Sequence, residues 1–138
     1  MTHILILEDD TDFGTLMAEG LEDQGYEVTL FDRASKALAF LEKARIDLVI
    51  TDVFVEAEGQ LIPDGGVTLI GGIRAASRYS KAAQNRDVPI IAITGRGGLL
   101  GKEFGLANAA GIGANAGLQK PFAQPELLDT IKRLLKNA

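Results

Sequence analysis

The stretch that decides the fold is residues 4–10, ILILEDD, in which four aliphatic residues run directly into three acids. A short, uninterrupted apolar run is typical of a strand that is buried on both faces, because a strand with one wet face alternates apolar and polar residues. Residues 48–50 and residues 88–94 (VPIIAIT) have the same continuous apolar character. The repeated pattern predicts a sheet that is covered on both sides.

Amphipathic stretches separate these runs, and two weaker strands complete the alternation, one at residues 26–31 around Val28 and one around Leu118. The spacing of apolar residues predicts a helix after each strand. The first carries Phe13, Leu16, Met17 and Leu21 on its inner face and ends near Gly25; the others span residues 34–44, about 66–83, 99–110, and from Pro125 onward.

Five strand–helix units in 138 residues fit one domain with one core. Strands that alternate with helices imply an α/β fold, a doubly wound parallel sheet of five strands with helices on both faces. In such a sheet, ligands bind beyond the carboxyl ends of the strands. The residues that directly follow the strands are therefore the candidates for function.

Polar side chains stand at four of the five predicted strand ends. They are Glu8, Asp9 and Asp10 after the first strand, Asp52 after the third, Thr94 at the end of the fourth and Lys120 at the end of the fifth. Each alone has an ordinary structural explanation, such as capping a helix or bonding the backbone. Because the topology brings these ends to one edge, the set as a whole favours function.

The chemistry of this set is specific. Clustered carboxylates raise one another's pKa unless a cation lies among them, and Mg²⁺ is the hard cation that takes one or two carboxylates together with phosphate oxygens. A carboxylate beside a lysine can act as a nucleophile toward phosphorus, while Lys120 and the Thr94 hydroxyl stabilise the phosphoryl oxygens. The residues predict acceptance of a phosphoryl group by a carboxylate.

With these segments in place, the chain resembles the receiver domain of bacterial two-component response regulators along essentially its whole length. Four matching segments occur in the family's order: ILILEDD (4–10), DLVITD (47–52), VPIIAIT (88–94) and GANAGLQKPF (113–122). The resemblance implies a flavodoxin-like sheet with strand order 2-1-3-4-5. It also implies phosphoryl transfer from a phosphohistidine on a histidine kinase or phosphotransfer protein, with self-catalysed transfer and dephosphorylation.

The resemblance assigns roles to individual residues. In chain order they are Glu8 and Asp9 as the Mg²⁺ site, Asp52 as phosphoacceptor and metal ligand, the Phe54 backbone carbonyl as a further metal ligand, and Thr94 and Lys120 as contacts of the phosphoryl oxygens. The Lys120–Pro121 bond is expected to be cis, as in family members.

The sequence departs from the family pattern at several points. The glycine expected soon after Asp52 arrives late, as Gly65 or Gly66, which indicates an insertion that either shapes donor choice or is a tolerated surface loop. Gly117 occupies a position that is often aromatic, so the usual relay from Thr94 is in doubt.

Two further departures lie beside the expected site. Phe54 places an apolar ring where polar residues are common, which predicts slow self-dephosphorylation. The glycine-rich loop at residues 95–98 follows Thr94 and suits a segment ordered by phosphate contacts; its Arg96 either reaches the site or is solvated.

Composition and charge argue against several classes of function. A net charge of −5 with no basic run argues against direct nucleic-acid binding, and no apolar run reaches the length of a membrane span. No signal peptide is recognisable, which favours a cytoplasmic protein. His3 is the only histidine, so a phosphohistidine donor is a separate protein.

Residues 1–138 are expected to form one receiver domain with no output domain, signalling to an unknown downstream protein target. Homodimerisation stays open. Two other functions fit part of the pattern. A haloacid-dehalogenase-type hydrolase is disfavoured because Glu8 rather than aspartate begins the first acidic run. A receiver-like binding module that is never phosphorylated is favoured by the changed loop and Gly117, but the complete set of Glu8, Asp9, Asp52, Thr94 and Lys120 argues against it.

Overall fold

The computed structural model describes residues 1–53, 55–57, 60–62, 65–77, 79–94 and 111–136. The elements, in chain order, are β1 (His3–Leu7), α1 (Thr11–Asp23), β2 (Glu27–Phe31), α2 (Ala34–Leu41), β3 (Leu48–Asp52), β4 (Val55–Ala57), β5 (Gln60–Ile62), α3 (Gly66–Arg74), a 3₁₀ helix (Lys81–Asn85), β6 (Ile90–Thr94), β7 (Ala116–Gln119) and α4 (Gln124–Lys136).

The main sheet has five parallel strands in the order β2-β1-β3-β6-β7, so the predicted flavodoxin-like strand order is confirmed. The three central strands are the three continuous apolar runs, and β3 and β6 are buried over their entire length. Edge strand β2 is only partly buried, which fits its alternating sequence. The doubly wound α/β prediction is thereby confirmed.

Two cores lie on opposite faces of this sheet. Successive residues of a strand point to opposite faces, so Ile4 and Ile6 of β1 join one core while Leu5 and Leu7 join the other. Helices α1 and α4 cover the Ile4 face, and α2 and α3 cover the Leu5 face. This two-sided burial leaves the ends of the strands as the accessible part of the sheet.

The prediction of one helix over residues 66–83 was wrong. Helix α3 ends at Arg74, and a separate 3₁₀ helix follows from Lys81, where the Ser80 hydroxyl accepts a hydrogen bond from the Ala82 amide at 3.1 Å. Helix α2 also ends three residues earlier than expected, at Leu41. The helix predicted at residues 99–110 lies outside the described residues.

The inner face of α1 differs from the prediction at one position. Met17 and Leu21 are buried, but Leu16 is 69% exposed and faces away from the sheet. The predicted end of this helix is confirmed, because Gly25 follows it with φ of 93°, a left-handed conformation that glycine adopts without strain.

Arg74, the last residue of α3, makes hydrogen bonds with residues that are distant in sequence. Its guanidinium donates to the carbonyl oxygens of Gly113, Arg86 and Val88 at 2.7–2.9 Å and to the Asn115 side chain at 2.9 Å. One half-buried side chain thus joins α3 to the segments that precede β6 and β7.

The predicted insertion after Asp52 contains an antiparallel hairpin in which β4 pairs with β5, with Val55 opposite Ile62 and Ala57 opposite Gln60. Among the described residues, no helix has the length and apolar character needed to cross a membrane.

Candidate functional site at the carboxyl edge of the sheet

The polar residues predicted at the ends of four strands all lie at the carboxyl edge of the sheet. Asp52 is the last residue of β3 and pairs with Ile93, directly before Thr94. The Lys120 amide donates to the Thr94 carbonyl at 2.9 Å, which extends the β6–β7 pairing by one residue. The Glu8 amide donates in the same way to the Phe31 carbonyl at 2.9 Å. Backbone pairing therefore fixes where each functional side chain begins.

Glu8, Asp9 and Asp52 form an acidic cluster, with one carboxylate oxygen from each within 4.8 Å of the other two. Glu8 and Asp52 are buried, at 3% and 8% exposure, and Asp9 is partly buried. Three carboxylates in so small a space suit a hard divalent cation that prefers oxygen ligands. The predicted convergence of these three residues is found in the structure.

Asp10 has a different role from its acidic neighbours. Its side chain accepts a hydrogen bond from the Phe13 amide at 3.1 Å and caps the amino terminus of α1. The residue is exposed and does not join the cluster. The third acid of the ILILEDD run is therefore a helix cap.

Lys120 supplies the positive charge of the site. Its ammonium nitrogen donates to Glu8 Oε1 and lies 3.7 Å from Asp52 Oδ2. The Lys120–Pro121 peptide bond is cis, as the resemblance implied. Lysine and two of the three carboxylates thus share one pocket, as the strand-end pattern predicted.

The electrostatics of the cluster follow from burial. Burial raises the pKa of Glu8 to about 8, with the hydrogen bond and charge of Asp52 acting in the same direction and Lys120 opposing them. Burial likewise raises the pKa of Asp52, although its contacts with Glu8 and Lys120 work against the rise. These directions fit the expectation that crowded carboxylates retain a proton until a cation joins them.

The pKa of Lys120 shifts upward. Burial alone would lower it, but the hydrogen bond to Glu8 and the charge of Asp52 outweigh that effect. The lysine therefore keeps its charge, and its ammonium is available to an anionic group that enters the pocket.

Two buried oxygens at this edge, Glu8 Oε2 and Thr94 Oγ1, have no hydrogen-bond partner in the part of the chain that the structure describes. A buried polar atom without a partner costs free energy, so such atoms commonly mark the place of a ligand. One is a carboxylate oxygen suited to a cation or its water, and the other is a hydroxyl suited to an anion.

Gly66 explains why a glycine follows the insertion. A Cβ atom built at Gly66 would lie 1.7 Å from the carbonyl oxygen of Asp52, and the Val67 amide donates to the Val53 carbonyl at 3.2 Å. The first turn of α3 therefore presses against the backbone that carries Asp52. Of the two glycines that the sequence offered, Gly66 is the one that this close approach requires.

Some of the predicted site residues lie in parts of the chain that the structure does not describe. Phe54, whose carbonyl was expected to bind metal, and the loop at residues 95–98 with Arg96 lie outside the described residues. Gly117 does lie in β7, opposite Ala92. Sequence reasoning also missed one contact of the site: Phe13 packs against the core, as its helical spacing predicted, but its ring also lies against Lys120.

Comparison with known proteins defines the class. The family model of the response regulator receiver domain matches residues 4–132. The chain therefore belongs to the receiver-domain family of two-component response regulators.

Two curated relatives illustrate the match. The chain is 30% identical to the phosphate regulon transcriptional regulatory protein PhoB of Rhizobium meliloti, over 100% of this chain and 54% of the relative. It is 29% identical to the transcriptional regulatory protein CpxR of Escherichia coli K12, over 100% of this chain and 51% of the relative. The chain spans about half the length of the curated relatives it matches.

Solved structures agree with this class. The receiver domain of the sensor histidine kinase PA1611 of Pseudomonas aeruginosa, 29% identical, aligns with a TM-score of 0.76 over 98% of both chains and has a magnesium ion coordinated in its active site cleft. A CheY-like response regulator receiver domain protein of Methanospirillum hungatei, 26% identical, aligns with a TM-score of 0.75 over 99% of this chain and 95% of the other.

Proposed function

We propose that Asp52 accepts a phosphoryl group from a phosphohistidine of a histidine kinase or phosphotransfer protein, with Mg²⁺ held by Glu8, Asp9 and Asp52. One observation carries the proposal: three carboxylates converge within 4.8 Å at the edge of the sheet, and the Lys120 ammonium lies beside two of them. A nucleophilic carboxylate, a cation site and a fixed positive charge are the parts that this transfer needs.

The residues present fit a magnesium ion. Glu8 Oε2 is a buried acceptor without a partner among the described residues, and burial together with the neighbouring Asp52 raises the pKa of Glu8. Both features are relieved when a divalent cation joins the cluster. When bound, Mg²⁺ would neutralise charge on the phosphoryl oxygens. The Phe54 carbonyl remains part of this proposal from the sequence alone.

The protein's own groups divide the remaining work. An Asp52 carboxylate oxygen attacks phosphorus, and the bond from phosphorus to the donor's imidazole nitrogen breaks with its electron pair leaving on that nitrogen. The Lys120 ammonium, 3.7 Å from Asp52 Oδ2, stabilises the oxygens of the transferring group. The buried Thr94 hydroxyl is a second donor for those oxygens.

The wider role follows from the same assignment. Residues 1–138 are proposed to act as one receiver unit in the cytoplasm and to signal by contact with a protein target rather than with DNA. The acidic balance of the chain, with a net charge of −5, supports a protein partner over a nucleic acid.

Intact-mass spectrometry after incubation with acetyl phosphate and Mg²⁺ tests the assignment. The parent and the control variant Asp129→Asn, altered at an exposed position of α4, should each gain the mass of one phosphoryl group. Asp52→Asn should gain none. An adduct that persists in Asp52→Asn would overturn the choice of phosphoacceptor. No adduct in the parent with acetyl phosphate or with a panel of phosphorylated kinases would favour a binding module that is never phosphorylated.

A further inference from the structure

The aromatic ring of Phe13 lies against the ammonium group of Lys120. The Lys120 nitrogen is 4.2 Å from the centre of the ring, well inside the distance at which a cation is attracted to an aromatic face. Phe13 is in the first turn of α1, whereas Lys120 directly follows β7, so the contact joins two segments that are far apart in sequence.

The Lys120 side chain is long and its ammonium has three rotatable donors, so its position depends on the groups that surround it. The carboxylates of Glu8 and Asp52 attract it as ion-pair partners. The ring of Phe13 attracts the same nitrogen from 4.2 Å. The ring therefore adds a contact that favours this position of the ammonium beside the two carboxylates.

The ring itself is held from two sides. The Phe13 amide is bound by the Asp10 side chain at 3.1 Å, which fixes the first turn of α1. The Phe122 ring meets Phe13 edge to face, with centroids 5.8 Å apart and an interplanar angle of 90°. Since Phe122 is two residues beyond Lys120, one aromatic pair links the start of α1 to the segment that carries the lysine.

The neighbouring glycine lets α1 come close enough for this contact. A Cβ atom at Gly14 would meet Leu30 at 3.2 Å and the Cβ of Glu8 at 3.4 Å. These distances leave little room for a side chain, so the first turn of α1 lies directly over the end of β1. The position of the ring thus depends on the packing of α1 against Leu30 and Glu8 as well as on its own contacts.

We propose that Phe13 is a positioning residue that holds the Lys120 ammonium beside Asp52 through its aromatic face. The proposal rests on the function proposed above for Asp52. The role in phosphoryl transfer thus falls to an apolar side chain, which acts on Lys120 and makes no hydrogen bond to the phosphoacceptor or to the cation ligands.

Fluorinated phenylalanines introduced at position 13 alone test the proposal, because added fluorine weakens the negative potential of the ring face while keeping its shape nearly constant. The rate of Asp52 phosphorylation by acetyl phosphate should fall stepwise with fluorination, by roughly three- to ten-fold at the end of the series. Phe13→Leu should match the slow end, and Phe13→Trp should keep most of the rate. The same substitutions at Phe40, which packs against Phe31 and His3, serve as the matched control.

Nuclear magnetic resonance of the Lys120 side chain gives a readout that does not depend on transfer. The chemical shifts of its ammonium nitrogen and neighbouring methylene should change in step with fluorination at position 13 and stay constant in the Phe40 series. Equal shifts and equal rates across the Phe13 series would overturn the positioning role. Should the parent take up no phosphoryl group, the transfer proposal fails, and the shifts alone then decide whether the ring holds the lysine.

Discussion

Replacement of Glu8 by glutamine is expected to stabilise the metal-free protein at neutral pH and to weaken its binding of Mg²⁺. The Glu8 side chain is buried, is in contact with Lys120 and lies within 4.8 Å of two other acids. Glutamine keeps the size of the side chain and an oxygen that accepts from Lys120, but it cannot ionise. The substitution therefore removes the ionisation of this side chain and changes little else.

The size of the effect follows from the pKa of Glu8, which burial and Asp52 raise from 4.5 to about 8 in the folded protein. Protonated Glu8 contributes its full stability below about pH 4.5, and that contribution is lost as the pH rises toward about 8. Over this range the folded chain binds one proton more than the unfolded chain, so stability falls by up to about 1.4 kcal/mol per pH unit. At neutral pH the accumulated loss is on the order of 3 kcal/mol.

Urea unfolding in a chelating buffer, repeated from about pH 5 to about pH 8, measures this loss as the difference in unfolding free energy between Glu8→Gln and the parent. The difference should grow with pH in favour of the variant. Taking a difference cancels the other titrating groups that both proteins share. Glu19→Gln, at an exposed position of α1, should give a difference that stays flat.

Added Mg²⁺ should reverse the order of the two proteins. The parent must release the Glu8 proton to bind the ion, so its affinity should increase with pH up to about 8, while the variant should bind more weakly and with less dependence on pH. A stability difference that is identical at both ends of the pH range would refute the assignment of a retained proton to Glu8.

Two further predictions concern backbone packing and long-range hydrogen bonds. Gly66→Ala should lower the unfolding free energy by about 3 kcal/mol or more, because its Cβ would lie 1.7 Å from a backbone oxygen, whereas Gly71→Ala, on an open face of the same helix, should raise it by about 0.5–1 kcal/mol. Arg74→Ala should lower the unfolding free energy, measured by chemical denaturation, by about 2–4 kcal/mol because four hydrogen bonds are lost. Arg86→Ala, which removes an exposed ion pair with Asp87, should change it by less than about 0.5 kcal/mol. Equal effects within either pair would contradict these explanations.

The central sheet could be predicted because its pattern is local. A strand buried on both faces must be apolar at every position, and residues 4–7, 48–50 and 90–93 satisfy that condition within a few residues of sequence. Convergence of Glu8, Asp52 and Lys120 then follows from topology, since parallel strands end at one edge. The acidic cluster was predictable for the same reason.

The failed predictions depended on contacts that local patterns do not contain. The end of α3 is fixed by Arg74, whose partners Arg86 and Gly113 lie 12 and 39 residues away. Leu16 and Met17 are adjacent apolar residues, and only the docking of α1 onto the sheet decides that Met17 is the buried one. Phe13 packs against the core as its spacing predicted, but its additional contact with Lys120 depends on the position of β7, which the local pattern does not contain.

The connection between Asp52 and α3 has consequences for redesign of the protein. At its start, the Val53 amide donates a hydrogen bond to the Ile93 carbonyl at 2.9 Å. At its end, the Val67 amide donates to the Val53 carbonyl at 3.2 Å. With both anchors in place, exchanging the intervening segment changes mainly the entropy of closing a loop, which rises by only about 0.6 kcal/mol for each doubling of length. Residues 55–62 therefore offer a graft point between two backbone anchors, where replacement of the segment should leave the position of Asp52 unchanged.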